Sequence, residues 1–175
     1  MRPSLHRQAG PGGFSLTELI IVILILAIAA AVVVPQIGSA AESQVTGAAR
    51  LVASDLEGAR SLAVTTQQPH SLVFNSARTA YKVAMNYAGG DYASTPAIAH
   101  PVRAGQVYEV DLARQNGMGR VTVTDVNFGG ATYVTFNSRG EPSSAGQVTL
   151  RAAPFEMVVS VEALTGNIGV AQTTD

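Results

Sequence analysis

The chain has 175 residues, a formal net charge of -1 and no cysteine. That length holds one domain with a core of its own plus an N-terminal appendage. The missing cysteine excludes disulfides, thiolate metal sites and a cysteine nucleophile, and scattered basic residues in a near-neutral chain exclude binding of nucleic acid or acidic membranes by bulk charge.

The first element in chain order is the apolar run Leu19–Val34. Extended back to Phe14 it contains only Ser15, Thr17 and Glu18 as polar residues, and as a helix it spans roughly 30 Å, enough to cross a bilayer. Arg2, His6 and Arg7 precede it, and the next basic residue is Arg50. The positive-inside rule therefore expects residues 1–13 in the cytoplasm and the bulk of the chain exported. Three readings compete: a cleaved signal peptide, with Gly38, Ser39 and Ala40 as a small-residue cleavage site, a plain single-pass anchor, and a processed leader followed by an assembly helix. Glu18 separates them. A carboxylate within a membrane segment costs about 2.5–3.5 kcal/mol on insertion scales unless it finds a partner; the bland alternative is that it snorkels to the headgroups from near the helix end.

Gly13-Phe14-Ser15-Leu16-Thr17-Glu18-Leu19, followed by an aliphatic run ending at Pro35, resembles the N-terminal signature of type IV prepilins and type II secretion pseudopilins. The resemblance implies that a prepilin peptidase cuts between Gly13 and Phe14 and that Phe14 is then N-methylated. Once freed, the Phe14 α-amino group is cationic near neutral pH. The Glu18 carboxylate of one subunit can pair with the Phe14 amine of a neighbour, so that two groups costly alone in an apolar bundle become acceptable together.

Past Pro35, the positions Ile37, Ala41, Val45, Ala48, Val52, Leu56, Ala59 and Ala63 recur at spacings of three or four, the mark of a helix with one buried face. Gly38, Gly47 and Gly58 weaken this helix locally, and Pro35 is expected to kink it. Gln67-Gln68-Pro69 ends it. Eight strands are expected at about 71–75, 79–85, 106–112, 121–127, 132–137, 147–152, 156–162 and 167–171. Asn75–Arg78 and Gly129-Gly130 read as hairpin turns, Ser138–Pro142 as a wider loop and Leu164–Asn167 as a tight turn. The fold class is α+β: a long N-terminal helix packed on an antiparallel β-sheet head, pilin-like by the resemblance. The expected organisation is a leader over 1–13, a transmembrane and assembly helix over 14–35, an amphipathic stem over 36–64 and a head over 65–175, with a long surface loop at 86–105.

Three later segments sharpen the resemblance. Leu56-Glu57-Gly58-Ala59-Arg60-Ser61-Leu62-Ala63-Val64, then Tyr133–Gly140 with Gly146–Leu150, then Val158–Val161 with Leu164–Ile168, are similar to the GspH/FimT group of minor pseudopilins. That group implies a structural subunit rather than an enzyme, with no cofactor. Its implied partners are prepilin peptidase, other pseudopilins or pilins, and inner-membrane lipid, with the leader cytoplasmic and the head periplasmic. The competing reading within the same resemblance is a FimT-like competence module whose head captures DNA. The tail Gly166–Asp175 carries no Lys or Arg, so the phosphate-neutralising charge such a role needs is missing there and nucleic acid is not expected as a partner.

No set of side chains reads as catalytic. His6 lies in the leader, and His70 and His100, each without a spaced carboxylate or second histidine, are expected at the surface. Asp91, Asp111 and Asp125 are too dispersed for a calcium loop; an ion site in the 86–105 loop stays open.

Overall fold

A computed structural model describes residues 14–173, apart from the side chains of residues 32–39. The leader residues 1–13, Gly13 and His6 among them, lie outside that range, and so do the side chains of Pro35 and Ile37. The chain divides between Ile37 and Gly38 into two units. One helix, α1 (Leu16–Thr66), has residues in both.

In the second unit α1 buries Ala41, Val45, Ala48, Val52, Leu56, Ala59 and Ala63, the stripe the spacing predicts, with Ala49 added beside it. Each large aliphatic side chain on it contributes roughly 1.5–3 kcal/mol by leaving water. The helix stops where the sequence expects: Gln67 adopts a left-handed φ of 56°, and Pro69 cannot continue the ladder. Gly58 has a structural use, since a Cβ there would press on the Tyr108 hydroxyl at 3.1 Å.

All eight strands form: β1 (His70–Phe74), β2 (Ala80–Met85), β3 (Glu109–Asp111), β4 (Thr122–Asn127), β5 (Tyr133–Phe136), β6 (Gly146–Ala152), β7 (Phe155–Val161) and β8 (Ile168–Thr173). They make two four-stranded antiparallel sheets, ordered β3-β2-β1-β5 and β4-β6-β7-β8. One core joins them to the helix stripe, with Leu72, Val83, Val134 and Phe136 from the first sheet and Val148, Leu150, Val159 and Val161 from the second. Alternation along each strand signals a buried face but does not say which strands share a sheet, so the second sheet could not be read from it.

Two turns behave as expected. Asn75 closes the β1–β2 hairpin, its Oδ1 accepting from the amides of Thr79 (2.9 Å) and Ala80 (3.2 Å), and the 163–166 turn joins β7 to β8. Gly129-Gly130 differs. It is a tight turn bracketed by a Phe128–Ala131 bridge, but β4 and β5 belong to different sheets, so it passes the chain between sheets rather than closing a hairpin. The third strand is shorter than expected: Asp111 Oδ1 accepts from the amides of Ala113 and Arg114, turning Leu112–Arg114 into a 3-10 turn.

The 86–105 segment is not a free surface loop. Ser71, Val73, Lys82 and Ala84, on the face of the first sheet turned away from Leu72 and Val83, are buried. The Lys82 ammonium donates to the Thr95 carbonyl at 2.8 Å and sits 3.9 Å over the Tyr92 ring. Tyr92 in turn donates to Glu109, and Tyr87 meets Tyr133 edge-on at 4.9 Å. The segment is strapped across the sheet. His70 is likewise buried, its Nδ1 donating to the Gln68 carbonyl at 2.9 Å, and His100 is half-buried, so neither is the surface histidine expected.

Gly146 opens β6 beside the end of β4, where an added Cβ would run into the Asn127 carbonyl oxygen and the Phe128 ring. Gly146→Ala is expected to lower stability by about 2–3 kcal/mol as backbone and ring are forced apart. Urea unfolding of residues 38–175 measures this, and a variant as stable as the parent would contradict the close approach.

Candidate assembly interface

The helix begins at a cap. The Glu18 amide donates to Ser15 Oγ at 3.2 Å and the Leu19 amide to the Ser15 carbonyl at 3.2 Å, while Ser15 Oγ lies 2.8 Å from Thr17 Oγ1. Ser15-Leu16-Thr17-Glu18 therefore carries the first half of a capping box, with serine at the cap and glutamate three positions on. This was legible in the sequence as Ser-x-x-Glu before an apolar run, and it gives Glu18 a second use: a carboxylate in the first turn complements the positive end of the helix dipole.

Beyond the cap, every residue from Phe14 to Ala31 is exposed. Phe14 is 84% exposed, Leu16 76% and Leu26 62%, and Ile21, Leu24 and Ile28 all exceed half. Isolated exposed hydrophobics are ordinary, whereas a continuous apolar surface around a helix marks burial in lipid or against other helices. Among the described residues no helix is long and apolar enough to cross a membrane; the side chains of Val32–Val34, counted in the expected span, lie outside them. Among the described residues, too, no group of three or more His, Asp or Glu side chains could hold a metal.

The segments that carry the pseudopilin resemblance meet in the second unit. Arg60 Nε donates to the Gly140 carbonyl at 3.2 Å and Nη2 to the Thr165 carbonyl at 2.9 Å. Gly140 and Gly166 both have positive φ, at 80° and 63°, and a Cβ on Gly166 would stand 2.7 Å from the Gly140 carbonyl oxygen. One guanidinium thus ties the stem to two turns that only glycine lets approach so closely.

A second cluster was missed in the sequence. Asp55 lies on the buried side of α1, where Tyr81 donates to its Oδ2 at 2.5 Å and Tyr108 to its Oδ1 at 2.8 Å. His100 stacks on Tyr108 at 4.5 Å and accepts through Nδ1 from the amides of Val102 and Arg103. Burial pushes the Asp55 carboxyl above its ordinary range, against the lowering effect of the two hydroxyls; burial followed by the Asp55 charge raises both tyrosines, which stay protonated donors. The available signal was a carboxylate within the apolar stripe, three residues after Val52 and four before Ala59.

A long N-terminal helix whose second half covers antiparallel sheet is a pilin-like α+β fold. The family model for "Type II transport protein GspH" matches residues 48–165, and the chain belongs to that family. No curated protein matches the chain. Among solved structures it is similar to the type IV minor pilin FimU of Pseudomonas aeruginosa, at 17% identity and TM-score 0.54, over 74% of this chain and 90% of that one. It is also similar to the minor pseudopilin EpsH from the type 2 secretion system of Vibrio cholerae, at 10% identity and TM-score 0.54, over 74% and 97%. At these identities the likeness establishes the fold.

Proposed function

We propose that the chain is a minor pseudopilin made as a prepilin. Prepilin peptidase cuts between Gly13 and Phe14, Phe14 is N-methylated, and the subunit stays in the inner membrane as a single-pass protein with its head outside the cytoplasm. From there it joins other pseudopilins or pilins through the helix beginning at Phe14. Residues 14–35 are the assembly helix, with a kink at Pro35, residues 36–64 the stem and residues 65–175 the head. The role is structural and not enzymatic. The observation that carries this reading is the capped helix start followed by an apolar surface exposed through Ala31, which water cannot solvate cheaply and only lipid or neighbouring stems can cover.

Glu18 supplies register. In a bundle of such helices its carboxylate takes the free Phe14 amine of a neighbour, which offsets the cost of each charge. Glu18→Val is expected to be cut and retained in the membrane, with one intramembrane charge fewer, yet to lose crosslinking to neighbouring subunits. Filaments containing Glu18→Val at the parent level would refute the pairing. The absence of Lys and Arg from residues 166–175 favours this structural role over capture of nucleic acid by that stretch.

A further inference from the structure

The chain has six asparagines, and their surroundings set one of them apart. Asn75 and Asn137 each precede a serine and are locked in place. Asn75 Oδ1 accepts from the amides of Thr79 and Ala80 while its Nδ2 donates to Thr79 Oγ1. Asn137 Oδ1 accepts from the amides of Arg139 and Glu141 while its Nδ2 donates to the Glu141 carboxylate at 2.7 Å. Asn86, Asn127 and Asn167 precede Tyr87, Phe128 and Ile168, whose side chains crowd the following amide nitrogen.

Asn116 is exposed, its side chain makes no hydrogen bond among the described residues, and Gly117 follows it. The Met118 amide donates to the Gln115 carbonyl at 3.1 Å, closing a tight turn in which Gly117 holds the left-handed position at φ 78°. The Gly117 amide has no acceptor among the described residues, and nothing stands within 4 Å of where a Cβ on Gly117 would lie. A free backbone amide therefore adjoins an unrestrained side-chain amide, with no side chain to hold them apart.

We propose that Asn116-Gly117 is a self-modification site that deamidates to aspartate and isoaspartate and thereby loosens the head from the stem. The Gly117 nitrogen attacks Asn116 Cγ. A Cγ–N bond forms, the Cγ–Nδ2 bond breaks, and Nδ2 leaves with the amide proton as ammonia. Water then opens the cyclic imide. Breaking the new Cγ–N bond gives aspartate, whereas breaking the original peptide C–N bond gives isoaspartate, whose main chain runs through Cβ and Cγ. Water is the one co-reactant.

The turn sits where this matters. Met118 packs against the core, its methyl carbon 3.8 Å from where a Cβ on Gly47 of α1 would lie, and the Arg120 amide donates to Gln44 Oε1 at 3.3 Å. An isoaspartyl link adds a carbon to the main chain inside the turn that Met118 closes, shifting Met118 and Arg120 away from these contacts.

The test incubates the full chain, isolated from membranes in detergent, at mildly alkaline pH and follows its tryptic peptides by mass spectrometry. Peptide 115–120 is expected to gain about 1 Da and to resolve into aspartyl and isoaspartyl forms, while Asn75 and Asn137 stay unchanged. Gly117→Ala places its methyl group in open space yet obstructs the attack, and should slow conversion about tenfold. Should that variant be degraded, Asn116→Gln keeps a side-chain amide but needs a larger ring, and should gain no mass. In the isoaspartyl protein, hydrogen exchange at Met118, Arg120 and Val121 should outpace that of the unmodified chain. An intact peptide 115–120 after the same sequence has converted as a free peptide overturns the site. So does aspartate without isoaspartate, equal conversion at Asn137, or conversion at the parent rate in Gly117→Ala. Unchanged exchange in the isoaspartyl protein overturns the loosening.

Discussion

Replacing Asp55 with alanine is expected to lower the stability of residues 38–175 by about 2–4 kcal/mol, since the buried Tyr81 and Tyr108 hydroxyls lose their acceptor together. The loss should extend beyond the helix. Tyr81 belongs to β2 and Tyr108 lies just past the strapped segment, stacked on His100 within it, so proteolysis within 86–105 should accelerate in Asp55→Ala as that strap loosens. Asp55→Asn keeps one acceptor oxygen and should cost less. The sign of the pH dependence follows from the raised folded-state pKa of Asp55. The folded protein holds this proton more tightly than the unfolded chain, so the contribution is full below the unfolded value, near pH 4, and is lost as pH rises through the folded value. The stability of the parent relative to Asp55→Asn should therefore fall from about pH 4 upward in urea titrations. An Asp55→Ala variant as stable as the parent would show that the cluster is dispensable.

Gly13→Val is expected to abolish maturation, leaving full-length precursor as essentially all of the protein in the membrane fraction. A peptidase that reads a glycine next to the scissile bond at the membrane surface leaves no room for a branched side chain. The effect should be separable from folding. Residues 38–175 bury a core of their own, and so the precursor should show the same protease-resistant head as the mature protein. Cleavage of Gly13→Val at the parent rate on a size-resolving blot would move the processing site elsewhere.

How much was legible follows from where the information sits. The buried stripe of α1 was readable residue by residue from Ala41 to Ala63, because helix period and burial coincide there, and eight strands were placed because alternation and turn residues are local. The partition into two sheets was not, since it depends on which strands meet after the chain turns at Gly129-Gly130. The 86–105 segment looked like a loop because its glycines and prolines break periodicity. Its anchoring by Lys82, Tyr92 and Thr95 is a contact between distant positions that no spacing announces. At the candidate site, Glu18 stood out as a charge in an apolar run, but its neighbour Ser15 was passed over as a cap. Asp55 is hidden for the opposite reason: with Arg50, Glu57 and Arg60 nearby, it reads as one more charge on the solvent face of an amphipathic helix. The Arg60 tether, which joins the stem to the Gly140 and Thr165 carbonyls, is likewise a contact between distant positions that spacing does not announce.

The central claim is that this GspH-family chain matures at Phe14 and assembles through the helix beginning there. Its most direct test is mass spectrometry of the N-terminal peptide of the protein isolated from membranes of cells that carry prepilin peptidase. A peptide beginning at monomethylated Phe14 is expected, with the unprocessed form in cells lacking the peptidase; a mature chain beginning at Ala41 would contradict the account and leave a secreted head without its assembly helix.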